Sequence, residues 1–279
     1  PLGEAGWAVV VGEGSRTLFS CHVDTVHRKP GKQRVLYDPV EECYYKADGE
    51  PLGADDAAGV WLMLEMIDAE VPGTYVFHRG EECGGQGSSW LARNYSKALE
   101  QFDRAIAFDR RGTYDVITHQ GFSRCASDTF ANALADALNE QGLMYAPCDG
   151  GVFTDTANYT DLIAECTNIA VGYDHEHTGD ESLYLPHLFA LRDALLLVDW
   201  EALPTERKPG DDEPLYSYDW PSGFPRSKGN EQPTMPMWMM DYEDMLDACY
   251  SDPEGFVRQV WTELLDNRPE WRTPEDDYN

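Results

Sequence analysis

Four short apolar runs in this chain share one property: each ends in a histidine or a carboxylate. They are Leu18-Phe-Ser-Cys-His22-Val-Asp24, Tyr75-Val-Phe-His-Arg-Gly-Glu81-Glu82, Ile106-Ala-Phe-Asp109 and Ile169-Ala-Val-Gly-Tyr-Asp-His-Glu-His177. Runs of this length and composition read as strands, and the segments between them carry helical patterns. Strands alternating with helices require a largely parallel sheet with helices on its faces. In such a sheet, sites assemble beyond the carboxyl ends of the strands. The pattern therefore predicts that these polar residues meet in one crevice.

A fifth segment, Gly53-Ala-Asp55-Asp56-Ala-Ala-Gly59, adds two carboxylates at a helix start. So many carboxylates in one place repel each other unless cations neutralise them. Imidazole combined with carboxylate suits zinc. Each signal alone has a plainer reading: an ion pair, an N-cap, a turn or solvated surface. Their joint occurrence points to a metal centre.

The expected elements are a β-hairpin over 7–11 and 17–21, with its turn at Gly12-Glu-Gly-Ser15, and strands over 74–77, 105–108, 114–118 and 168–172. Helices are expected over 55–67, over 88–99, from Asp128 to its stop at Asn139 and Gly142, and over 183–200. Pro186 fits only in the first turn of the last helix. The fold class is thus an α/β three-layer sandwich on a mostly parallel mixed sheet, with an antiparallel hairpin at its edge. After Leu203 the composition shifts. Residues 204–236 are rich in Pro, Gly and acids and read as a linker or strap. Residues 237–279 hold a helical hairpin, over 242–249 and 253–265. The catalytic domain is expected to span 1–203, and the tail offers an oligomer contact.

A net charge of −30, from 51 acidic and 21 basic residues, disfavours nucleic acid and anionic membranes as partners. It fits either a salt-rich habitat or an ordinary acidic soluble protein. No apolar run approaches the roughly 18 residues of a membrane span, and no signal peptide is expected from Pro1-Leu-Gly-Glu. The seven cysteines are odd in number and contain no Cys-x-x-Cys pair. That suits a reducing compartment, the cytoplasm, over a disulfide scaffold.

His22-Val-Asp24-Thr-Val, Gly53-Ala-Asp55-Asp56, Glu81-Glu82 followed by a Gly-Gly pair, Asp109 and the late His177 together resemble the co-catalytic zinc exopeptidases. That superfamily includes bacterial zinc aminopeptidases, peptidase T and the carboxypeptidase G and deacylase group. The resemblance covers roughly residues 7 to 202. It implies two zinc ions, replaceable by cobalt or manganese, bridged by Asp55 in a cis peptide with Asp56. It implies that His22 and Asp109 complete one metal's shell, and Glu82 and His177 the other's. Asp24 would accept the second ring N–H of His22, and Glu81 would take the proton of the water between the metals. His175, two residues before His177, is the alternative ligand. His78 and His119 read as structural or surface residues, and His27 as surface. The chain departs from the family where Ala57-Ala58 follow the Asp-Asp pair, a place that often holds Lys or Arg.

The resemblance also bears on the substrate. Asp109 and His177 stand 68 positions apart, too few for an inserted lid of about a hundred residues, as domain sizes go. Lidded members recognise a substrate carboxylate through that insert, so a free α-amino group is the expected handle here and the substrate a short peptide. Acids such as Asp155 and Glu176 would favour an ammonium if they reach the rim. Arg79, Arg110 and Arg111 would favour a carboxylate if they turn inward. The expectation is an aminopeptidase. The alternatives are a carboxypeptidase or a deacylase of acyl amino acids at the same centre, and a metal-holding protein without catalysis, against which Glu81 speaks.

Overall fold

The structure is a computed structural model and describes residues 2–27, 31–121 and 123–210. The expected helical hairpin over 237–279 and most of the strap lie outside the described residues.

Thirteen strands and four α-helices follow in chain order: β1 (Gly6–Val11), β2 (Thr17–His22), β3 (Leu36–Asp38), β4 (Cys43–Tyr45), α1 (Ala54–Asp68), β5 (Gly73–His78), α2 (Gln86–Leu99), β6 (Arg104–Arg110), β7 (Asp115–Ile117), β8 (His119–Gln120), β9 (Ser123–Arg124), α3 (Asp128–Asn139), β10 (Ala146–Cys148), β11 (Glu165–Ala170), β12 (Tyr173–Asp174), β13 (Ser182–Tyr184) and α4 (Leu185–Leu195). Seven strands form the central sheet in the order β1-β5-β2-β6-β11-β7-β10. Its middle block, β5-β2-β6-β11, is parallel. Every residue of β2 and β11 is buried, as expected for strands covered on both faces. Tyr75, Phe108 and Trp200 pack their rings around Phe19 in the core. The expected α/β sandwich on a mixed sheet is the observed fold.

The expected hairpin is not formed. β1 is an antiparallel edge strand, but its partner is β5, which lies between β1 and β2. The reason is burial. β2 is buried along its whole length and needs neighbours on both sides, whereas β1 exposes Trp7, Val9 and Val10 and tolerates an open edge. Edge position also explains Pro147 in β10, because an edge strand can forgo one ladder donor.

The last helix also stops early. The α4 helix ends at Leu195, where the Trp200 indole N–H donates to the Leu195 carbonyl at 3.3 Å. Asp199 then caps a 3-10 turn over Trp200–Ala202. The apolar pattern continues to Val198, but the chain has already turned back over the core.

A second, four-stranded sheet, β12-β13-β4-β3, has strands too short for periodicity to reveal. Between β12 and β13 it carries the loop of His175 and His177. The interval from Asp109 to His177 builds no separate body among the described residues, since β7, β10 and β11 all join the central sheet. Residues 204–210 lie on the domain: Arg207 donates to the carbonyls of Thr160 and Ala164 at 3.0 Å each. Glu165 accepts the backbone N–H groups of Glu206 and Arg207. No described helix is long and apolar enough to cross a membrane.

Candidate metal centre

The carboxyl ends of β2, β5, β6 and β11 lie side by side, and the polar residues that end or follow them converge there. Asp55 sits at the middle. Its Oδ1 is 2.8 Å from His22 Nε2, and its Oδ2 is 3.0 Å from His177 Nε2. His22 Nε2 is also 3.6 Å from Asp109 Oδ1, and His177 Nε2 is 3.0 Å from Glu82 Oε2. Two ligand sets result, His22–Asp55–Asp109 and Asp55–Glu82–His177, each with its donor atoms within 4.8 Å of one another. One carboxylate thus serves both sets with different oxygens.

Local structure explains why Asp55 can do this. The Asp55–Asp56 peptide is cis, and both residues depart from helical φ/ψ although α1 has begun. Asp56 turns inward and accepts the backbone N–H groups of His22 at 3.1 Å and Gly59 at 3.0 Å. A side chain at Gly59 would collide with the Phe108 carbonyl and the Asp56 carboxylate, so glycine lets α1 press against β6. That contact sets Asp55 opposite Asp109.

Asp109 is held from three sides. Its backbone exchanges hydrogen bonds with the Asn168 side chain at 2.9 and 2.6 Å. Thr154 and Tyr173 donate to its two oxygens at 2.5 and 3.0 Å. Each carboxylate oxygen has two acceptor sites, so both retain one for a cation.

The electrostatics are those of crowded acids. Burial, then Asp109, pushes the Glu81 carboxyl up to about 9. Burial, then Asp55, pushes Glu82 up to about 7. Burial raises Asp55 and Asp56 as well. Burial alone would lower His22, but its bonds to Asp109 and Asp55 outweigh this and raise it. Glu82 Oε1 is buried without a hydrogen-bond partner. Divalent cations fit: they would take the place of protons on these groups and neutralise the acids around them.

His177 faces the carboxylates, whereas His175 is exposed beside Asp174. The Asp24 carboxylate, expected to accept the His22 ring N–H, lies 3.8 Å from His22 Nδ1, beyond hydrogen-bond reach. Its backbone oxygen stands 2.9 Å from His22 Nδ1, while its carboxylate accepts the N–H groups of Gly80, Glu81 and Glu82. His27 bridges Thr25 and the Pro51 carbonyl, His78 meets the Tyr159 hydroxyl, and His119 meets Thr118. Asp155 does not reach the rim. It is buried, and burial pushes its carboxyl up to about 7. Arg110 is bound to Asp115 and Arg111 to Glu176. Sequence reasoning missed Glu181, a buried carboxylate that accepts the N–H groups of Gly53 and Asp55. It also missed Thr154, Asn168 and Tyr173 around Asp109.

No protein-family profile matches the chain, and no curated protein matches it in sequence. Solved structures do match in fold. Aminopeptidase PepT from Bacillus cereus ATCC 10987 is similar with a TM-score of 0.55 at 14% identity, over 70% of this chain and 83% of that one. A tripeptidase from Staphylococcus aureus subsp. aureus mu50 gives 0.55 at 15% identity, over 68% and 81%. The aminopeptidase APDkam598 from the archaeon Desulfurococcus kamchatkensis gives 0.52 at 16% identity, over 71% and 82%. At such identities the likeness speaks for architecture alone, and by that measure the chain has the fold of these solved peptidases.

Proposed function

We propose that this chain is a two-metal hydrolase that removes residues from the amino end of short peptides. The observation that carries the reading is Asp55, whose two oxygens are shared between His22 and Asp109 on one side and Glu82 and His177 on the other. A pair of divalent cations, zinc by the donor set and replaceable by cobalt or manganese, would acidify water and polarise the scissile carbonyl.

This chain's own residues do the rest. His22, Asp55, Glu82, Asp109 and His177 would hold the ions. Glu81 precedes a ligand in sequence, so it is kept close to the reacting water without binding a metal itself. No side-chain hydrogen bond ties it down among the described residues. It takes the proton of the attacking water and passes it to the leaving amine, as a general base and then acid.

The choice of the amino end rests on the state of the arginines. Arg110 and Arg111 are already matched by Asp115 and Glu176, which leaves the exposed Arg79 as the one of the three that a substrate carboxylate would have to use. A protonated amine placed near Glu81 would gain a charge-assisted hydrogen bond. The six described cysteines are unpaired, in keeping with a cytoplasmic enzyme.

The test compares a dipeptide with its N-acetylated and C-amidated forms. The amidated form should be cleaved and the acetylated form left intact. Cleavage of the acetylated form with the amidated one inert would reassign the protein to carboxypeptidase or deacylase chemistry.

A further inference from the structure

We propose that Glu181 is a positioning residue, one that locks the shared carboxylate of Asp55 and the loop of His177 to each other. The proposal rests on the two-metal reading above. Glu181 is 2% exposed, and each of its oxygens has a separate task. Oε2 accepts the Gly53 N–H at 3.0 Å, and Oε1 accepts the Asp55 N–H at 3.1 Å.

These donors need an outside partner. The first N–H groups of a helix have no acceptor within it, and α1 has Gly53 at its cap position, which brings no side chain. Asp55 is non-helical besides. The missing acceptor comes from 126 residues away, and it is charged, so these bonds exceed neutral ones in strength.

The other end of the link is His177. It lies four residues before Glu181 on the loop between β12 and β13. Its side chain is 47% exposed, its φ is +65°, and its imidazole touches Asp55 and Glu82. Turn bonds from Thr178 to the His175 carbonyl and from Glu181 to the Thr178 carbonyl make the loop one unit. Gly179 packs so closely on Gly49 that a side chain there would collide with its backbone. The loop is therefore seated on the segment leading into Asp55, and Glu181 is its charged contact with that segment. Since Asp55 belongs to both ligand sets, loosening it loosens both.

Glu181→Gln is the sharp substitution. The amide oxygen can satisfy one N–H, but its NH2 then faces the other, donor against donor. Titration of the full chain with Co2+ should show both equivalents binding at least about tenfold more weakly, the lower end of losses at groups supporting metal ligands. Amide exchange at Gly53 and Asp55 in the metal-free protein should quicken, with the circular dichroism unchanged. As a control, Glu82→Gln should weaken one equivalent far more than the other. Wild-type affinity for both equivalents in Glu181→Gln overturns the proposal. If that variant does not fold, Glu181→Asp decides: its shorter carboxylate reaches one N–H, and affinity equal to wild type overturns the proposal equally. A wild-type chain that takes up no Co2+ is a different result. It overturns the two-metal reading itself and with it this role.

Discussion

Asp24 reaches across to Gly80: its Oδ1 accepts the Gly80 backbone N–H at 2.8 Å. The N–H groups of Glu81 and Glu82 follow on the same carboxylate at 3.3 and 3.2 Å. Three successive N–H groups around one anion make a compact nest, and this one fixes the turn that presents both glutamates. The His22 ring is left to the Asp24 carbonyl. Asp24→Asn keeps that carbonyl and the side chain's size while removing the charge. It should lower activity and the affinity of the Glu82 site by about 10–100-fold, as losses at supporting groups go. Kinetics and metal titration together check this. An unchanged Glu82 site with a disturbed His22 would return the Asp24 carboxylate to the histidine.

Glu81→Gln separates catalysis from metal binding. Glu81 belongs to neither ligand set, so the variant should hold both ions as tightly as wild type. Loss of the base should cost about 10²–10⁴ in kcat with little change in KM. Activity above a few per cent of wild type would show that another group takes the proton.

How much of this was legible in the sequence depended on how local each signal is. The ligands of the centre stand at strand ends or a helix start, and both are visible in a few consecutive residues. His22, Asp55, Glu82, Asp109 and His177 accordingly come together in space. The pairing of β1 was not legible, because a hairpin turn and an edge strand look alike until the neighbour of β2 is known. Glu181 was illegible for a related reason. Gly-Asp-Glu-Ser reads as solvated surface, and only the fold places the Gly53 and Asp55 donors beside it. Thr154 and Tyr173 likewise serve Asp109 from 45 and 64 residues away. The charge at Asp155 misled in the opposite sense: it is acid in sequence but wholly inside.

His78 should make stability depend on pH. Burial lowers its pKa to about 3 in the folded chain, against about 6.5 when unfolded. Below that unfolded value the unfolded chain gains a proton that the folded chain refuses, so stability is lost as pH falls from about 6.5 towards 3. Over the first 1.5 pH units this amounts to about 2 kcal/mol, at about 1.4 kcal/mol per unit. His78→Gln should cost stability at neutral pH by disturbing the contact with Tyr159. It should also flatten the loss between about pH 6.5 and 5 by one proton's worth. Denaturant melts of both proteins at several pH values give the two slopes, and parallel slopes would show that His78 titrates normally.

Salt should stabilise this fold, because it screens self-repulsion more than it weakens the surface ion pairs. Salt screens attraction and repulsion alike, so it weakens the surface ion pairs Arg16–Asp103, Arg124–Asp128 and Arg192–Asp193. Exposed pairs of this kind contribute about 0–1 kcal/mol each. Against them stands the net charge of −30, which opposes the compact state by self-repulsion. With 51 acids and 21 bases, even complete one-to-one pairing leaves the excess acids unmatched. Repulsion therefore dominates. Raising KCl from about 0.1 to 1 M shortens the screening length from about 10 to 3 Å, and the melting temperature should rise across that range. Chloride is the right anion, because sulfate would also strengthen apolar burial and confuse the cause. The rise should persist in metal-free protein, since the charge that drives it extends beyond the metal centre. A melting temperature that falls or stays level with KCl would mean that the ion pairs outweigh the net charge.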